Sequence, residues 1–446
     1  MNNNDKVLYI VHCVDTEGPL FESLEASFER LWDIFGIRLD ATEENLTMIQ
    51  NKEFDFGEKT DAIAEVFSPH LINYNHSWDR IDGMLKKILS KDFRNAFIDS
   101  FGNGWIYNWF CIDYVGFIYN PRKRDMGYHN IYDFYYKKLR DYNSLQDGLH
   151  WHFHPMSNYF EAHRCATSYV NSPHLYQILC RRIIERQYFP AAYRPGLHTI
   201  RPDSNWFLEQ WIPFDFSNWS YRTNNVLDKM EDVKEGRFGD WRAAPDDWSV
   251  YQPSHDNWQV PGNCRRWIAR CIDIMSRGKN ISRDEVEKAF SRTNEGKPTL
   301  MSFSNHDFRD MAFEVDYVRD LILSVSKDYP EVKFKYCEAV DAFRSVVYGQ
   351  NMCFVPVKLE VEISGDDKRR YLNVKTIQGK VFGPQPFLAI KTKSGRFIHD
   401  NFDFDPSLTK WSYTIDVDSV HAYDISMIGV AANDMYGNTF IKTIKI

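Results

Sequence analysis

The stretch Val7-Leu8-Tyr9-Ile10-Val11-His12-Cys13-Val14-Asp15-Thr16-Glu17-Gly18-Pro19 decides the reading of the fold. Its first five residues are an unbroken apolar run of strand length, rich in β-branched side chains. That composition suits a strand covered on both faces, as in a parallel sheet or barrel. Gly18-Pro19 marks a turn, which places Asp15 and Glu17 at the C-terminal end of a first strand, where barrel enzymes carry their chemistry. Two residues apart on a strand, the two carboxylates project to the same side.

Outward from this strand, residues 20–95 are polar and mixed, with a helical stretch at Trp78 to Leu89, and read as an elaboration between the first and second core strands. Residues 105–118 are aromatic and β-branched and predict strand. Strand and helix signals then alternate to about residue 345, with an amphipathic stretch at 315–327, a pattern that favours α/β. Beyond Gly349 the texture changes to short alternating segments, among them Phe354 to Ile363, Arg370 to Ile377 and Tyr413 to Val417. Turn signals separate them and no long helix intervenes, which predicts a small β-sandwich over 352–446.

Composition narrows the function classes. The chain has 446 residues, 43% hydrophobic and 26% charged, close to the globular average. A net charge of −8 without basic, aromatic-interleaved runs disfavours nucleic-acid binding. The N-terminus lacks the basic region and cleavage site of a signal peptide, and no run approaches the roughly 20 apolar residues of a membrane span. A cytoplasmic protein is expected. The eight cysteines form no Cys-x-x-Cys pair, so reduced thiols are expected rather than a cysteine zinc site.

The segment His150-Trp151-His152-Phe153-His154-Pro155 holds three of the 14 histidines. Neutral imidazole is a ligand for zinc and similar ions, and three protein ligands with one open position is the catalytic pattern. On a helical turn His150 and His154 share a side; on a strand all three line one face. A histidine cluster packed in an aromatic core is the plainer alternative. One of Asp15 and Glu17 could complete a site of two histidines and one carboxylate, leaving the other as a general base. Tyr193-Arg194-Pro195-Gly196 puts a permanent cation on a rigid turn, able to orient the free carboxylate and lower its pKa. The strand-like run Leu300 to Asp307 ends in His306-Asp307; a histidine there can act as general acid, with the acidic neighbour supporting its protonated form.

In this order the pieces resemble the polysaccharide deacetylase-like family (NodB-homology domain, carbohydrate esterase family 4) over roughly residues 7–345. The resemblance implies a distorted (β/α) barrel of seven strands with short motifs at its mouth. It implies Asp15 as base, Glu17 with His150 and His154 as metal ligands, Arg194 as the turn arginine and His306 as the late-strand histidine. Trp206 to Ser217 resembles the family's helix and following strand. Three departures stand out: Thr16 splits the acid pair, the first two motifs are far apart, and His152 is a third candidate ligand. In the region Asp240 to Pro253, Trp241 and Trp248, with Trp258 beyond, either stack on sugar faces or pack in the core.

The expectation is therefore a barrel over 1–345, with an insertion at about 20–95, and a C-terminal all-β domain. It would use a divalent metal, foremost Zn²⁺, to remove an acetyl group from an N- or O-acetylated sugar or polysaccharide precursor. The alternatives are an inactive relative that binds glycans or acts as a scaffold, and a hydrolase of non-sugar, non-peptide C–N bonds.

Overall fold

The computed structural model describes residues 6–162, 168–170, 172–221, 239–276, 279–349, 354–366 and 368–446. Eight parallel strands form the first sheet: β1 (Val7–Thr16), β2 (Tyr107–Cys111), β3 (Gly148–Phe153), β4 (Ala192–Pro195), β5 (Phe214–Asn218), β6 (Trp267–Asp273), β7 (Thr299–His306) and β8 (Lys333–Tyr336). Strands β1 to β7 pair in sequence order, and β7 returns to β1 in register Leu8↔Thr299 to Asp15↔His306, closing a seven-stranded barrel.

The closure needs a long first strand. Along one edge β1 pairs with β7, while its other edge is shared between β8, against Val7–Ile10, and β2, against His12–Thr16. Asn108 seals this three-strand junction. Its amide donates to the carbonyls of His12 (3.3 Å) and Cys337 (3.1 Å), and its Oδ1 accepts the N–H of Ala339 (2.7 Å).

Every residue of β1 is buried, and its two faces meet different cores. Val7, Tyr9, Val11 and Cys13 turn into an inner core with Phe110, Phe214, Phe216, Cys271 and Leu300, which the helix Ala339–Tyr348 joins through Phe343, stacked on Phe214 at 4.6 Å. Leu8, Ile10 and Val14 turn outward to the surrounding helices. Burial of each such aliphatic side chain contributes about 1.5–3 kcal/mol, so the continuous apolar run follows from having no solvent face.

The stretch between β1 and β2 is helical, and its helices Leu24–Phe35, Glu43–Gln50 and Thr60–Val66 build a small core of their own around Phe28, Leu31, Ile49, Ile63 and Phe67. The strand expected over 105–118 is limited to Tyr107–Cys111, and the amphipathic stretch at 315–327 lies in the helix Met311–Ser326. No helix among the described residues is long and apolar enough to cross a membrane.

The C-terminal region holds β9 (Lys358–Gly365), β10 (Arg370–Gln378), β11 (Phe387–Thr392), β12 (Phe397–Asp400), β13 (Asp403–Phe404), β14 (Lys410–Ile415), β15 (Ile425–Asn433) and β16 (Thr439–Lys445). They form two antiparallel four-stranded sheets, β13-β14-β10-β9 and β12-β11-β15-β16, over a shared core that includes Leu372, Val374, Trp411, Ile390 and Ile428. The second sheet also packs on the barrel: Phe387, Ala389 and Ala431 belong to the barrel's outer core, and the Asn433 amide donates to the carbonyls of Pro190 and Trp211, each at 2.8 Å.

Candidate metal centre

Inward-facing positions of the strands carry apolar groups low in the barrel and polar ones at the C-terminal rim. On β1 the inward register runs Val11, Cys13, Asp15 and on to Glu17, while Thr16 faces out and donates its hydroxyl to the Phe110 carbonyl (2.9 Å). The intervening threonine is what lets both acids face the same way. The strand ends beside them contribute His152 and His154, Arg194, Asp273, and Ser304 with His306.

Glu17, His152 and His154 converge, all buried. His152 Nε2 lies 3.0 Å from His154 Nε2, and Glu17 Oε1 lies 3.5 Å from His154 Nε2 and 3.8 Å from His152 Nε2. Ligands about 2.1 Å from a tetrahedral zinc ion stand about 3.4 Å apart, so these three groups fit such an ion. Tautomer chemistry agrees. His152 Nδ1 lies 3.0 Å from the Arg194 carbonyl, which can only accept, so Nδ1 carries the proton and Nε2 presents its lone pair.

This set contains Glu17, His154 and the alternative ligand His152 in place of His150. His150 does not join it; its Nε2 lies 3.0 Å from Glu338 Oε1 and 3.2 Å from Asn108 Oδ1. The segment is a strand, so a rise of about 3.3 Å per residue leaves His150 a full side-chain layer below His152. His150 and His154 would be neighbours only on a helix.

Glu17 is held from behind. Its Oε2 accepts from the Tyr114 hydroxyl (2.8 Å) and pairs with Arg124 Nη2 (2.6 Å). Burial would raise its pKa, but Arg124 and the two histidines hold it well below the usual carboxylate range. The turn that follows is fixed by Asp307, which accepts the N–H groups of Glu17 and Gly18 and the hydroxyl of Tyr135, each at 2.9 Å. Asp307 thus faces away from its neighbour His306 and does not support that ring, contrary to the sequence expectation.

Asp15 meets Arg194 through two parallel bonds, Nε to Oδ1 at 2.7 Å and Nη2 to Oδ2 at 2.9 Å. Burial opposes the charge, but the guanidinium outweighs it and keeps Asp15 ionised far below its ordinary pKa. Arg194 also donates to the Phe216 carbonyl (2.9 Å) and Ser304 Oγ (3.1 Å), and Ser304 donates to Asp273 (3.2 Å). Asp273 lies 3.6 Å from Nε2 of His198, whose ring stacks on Trp219 with centroids 4.9 Å apart. Leu197 and His198 both adopt φ of 51°, a region that costs non-glycine residues strain.

His306 Nε2 lies 3.7 Å from Glu17 Oε1, and its side chain, 29% exposed, is the most open of this group. Burial lowers its pKa to about 4, against the pull of Glu17 and Asp15.

The tryptophans do not face a ligand. Trp241 and Trp248 are 1% and 0% exposed, and their indole N–H groups donate to the carbonyls of His198 and Glu285, both at 2.8 Å. Of the two readings open for Trp241 and Trp248, sugar stacking is corrected and core packing holds: large apolar rings with one satisfied donor pack as core. Trp258, partly buried, donates to the Asp240 carbonyl (3.0 Å). Sequence reasoning missed Tyr114, Arg124, His198 and Asp273, which sit on loops or at a strand end without a spacing signal of their own. No family model, curated protein or solved structure matches the chain.

Proposed function

We propose that the chain is a metal-dependent hydrolase that removes an acetyl group from an N-acetylated, or O-acetylated, saccharide or glycan precursor. The observation that carries this reading is the convergence of Glu17, His152 and His154 beside an Asp15 clamped by Arg194, all on the inner face at the barrel rim. The polysaccharide deacetylase-like order of the motifs supports the substrate class.

Glu17 Oε1 and the Nε2 atoms of His152 and His154 would hold the ion, foremost Zn²⁺. Such an ion supplies Lewis acidity, drawing charge from an acyl oxygen and lowering the pKa of water. Asp15 is the proton acceptor. Its pKa is low, so its contribution is position rather than basicity: Arg194 holds both oxygens in one orientation beside the ligand set. His306, opposite Asp15 in the β1–β7 register, is the group open enough to reach a departing amine; its ring is neutral at pH 7, so the proton it hands over would be the one Asp15 takes from water.

The test is metal analysis joined to acetate release. Protein reconstituted with zinc is expected to hold about one ion per chain and to release acetate from an acetylated sugar, both lost in Glu17→Gln. Failure to retain zinc, manganese, cobalt or nickel after reconstitution would count against the hydrolase and favour a glycan-binding barrel.

A further inference from the structure

A second site lies on the seam between barrel and sandwich, in a cavity of about 520 Å³, within the roughly 300–1,000 Å³ usual for small-molecule sites. Three segments build it. The helix His174–Arg186 supplies Tyr176 and Gln177, the helix Pro202–Trp211 supplies Gln210 and Trp211, and β12 with the residue after it supplies Phe397, His399, Asp400 and Asn401.

One wall is aromatic. The Tyr176 ring stacks on His399 with centroids 4.7 Å apart and planes 3° from parallel, and Phe387 lies behind at 4.1 Å. The rest is amide, carboxylate and imidazole. Gln177 already accepts the Tyr128 hydroxyl on its carbonyl oxygen (2.8 Å), leaving its amide N–H groups to donate. His399 Nδ1 faces the Leu388 carbonyl (2.9 Å), so Nδ1 carries the proton and Nε2 keeps a lone pair. Burial holds this ring neutral, its pKa lowered to about 4. Trp211, 3% exposed, has an indole N–H that meets no acceptor among the described residues; such a buried donor costs about 1–3 kcal/mol unless something satisfies it.

Among the described residues no lysine or arginine lines the cavity. Arg181 and Lys391, which lie over the Phe397 ring, are each paired with Glu185 (3.6 and 3.4 Å), which offsets their charge toward a phosphate or carboxylate. The Asp400 oxygens each accept one bond, from the Asn401 N–H (2.8 Å) and the Tyr413 hydroxyl (2.9 Å), and keep a second lone pair. With the aromatic wall and the amide groups of Gln177 and Gln210, they match a flat-sided molecule covered in hydroxyls. We propose that this cavity binds a neutral saccharide unit, stacked on the aromatic wall and hydrogen-bonded by Gln177, Gln210 and Asp400. The site is separate from the barrel mouth and does not depend on the hydrolase reading.

The experiment uses the full chain carrying Glu17→Gln, which takes the metal centre out of play. Glucose, N-acetylglucosamine and inorganic phosphate are titrated separately, with calorimetry and the indole N–H resonance of Trp211 as readouts. Saturable millimolar binding of a neutral sugar is expected, with a shift of that resonance. It should weaken by at least about tenfold in Gln210→Ala, a partly buried change that spares the core, and in Tyr176→Ala. The proposal is overturned if neither sugar binds, if both variants bind sugar as tightly as the parent chain, or if phosphate binds more tightly than the sugars.

Discussion

At the residue scale, the centre is a set of paired charges that would be unaffordable singly. Asp15 and Arg194 are both buried, and removing one partner of such a pair strands the other at about 3–5 kcal/mol. Asp15→Asn keeps the shape and one acceptor oxygen. We expect it to lower acetate release by about 100-fold or more while leaving one zinc per chain; undiminished turnover would remove Asp15 from the proton-accepting role. His12 makes a contrasting case on the outer face of β1. Trp105 donates to its Nδ1 and its Nε2 meets Asn305 Oδ1, both at 2.9 Å, an arrangement that suits only the neutral ring. Burial accordingly lowers its pKa from 6.5 to about 3. The unfolded chain binds this proton first, so the stability the neutral ring contributes is complete above 6.5 and is lost as pH falls toward 3. Denaturant unfolding of metal-free protein at about pH 7 and about pH 5 should show an acid-side loss about 2 kcal/mol larger than that of His12→Gln, in which the other buried histidines still titrate.

At the element scale, the two-residue period of the strand sorts the candidates. Odd positions on β1 and even positions on β3, β4 and β7 face inward, which brings Asp15, His152, Arg194 and His306 to one rim and leaves Trp151, Tyr193 and Phe303 to the outer core. The same period puts His150 a layer too low. Past the end of β4, Gly196 lets the backbone pass close to the His154 ring. A Cβ there would stand 2.1 Å from the His154 ring. Gly196→Ala is expected to push His154 aside and weaken zinc binding by roughly 10–100-fold, the size of effect seen when support for a ligand is lost. The check is competition with a chromogenic chelator, with a melting curve to establish that the variant is folded; unchanged affinity would mean that His154 is not held by this contact.

At the whole-molecule scale, barrel and sandwich share a built seam. Gly383 approaches the barrel so closely that a Cβ would fall 1.6 Å from the Gln210 carbonyl oxygen, while Phe387 and Asn433 complete the contact. Gly383→Ala cannot be absorbed by a side-chain rotation, because the obstacle is backbone. It should cost about 1–3 kcal/mol and appear as a lower melting temperature; an unchanged melt would show that the two parts move independently. By itself the sequence determined the α/β character, the C-terminal change to β structure and the order of the acids, histidines and arginine, because apolar periodicity and strand-end carboxylates are local signals. Only the tertiary structure decided which histidines meet Glu17, that Arg124 and Tyr114 hold that glutamate, and that Trp241 and Trp248 are core. These are meetings between strands and loops distant in the chain, and a distance of that kind leaves no periodicity to read.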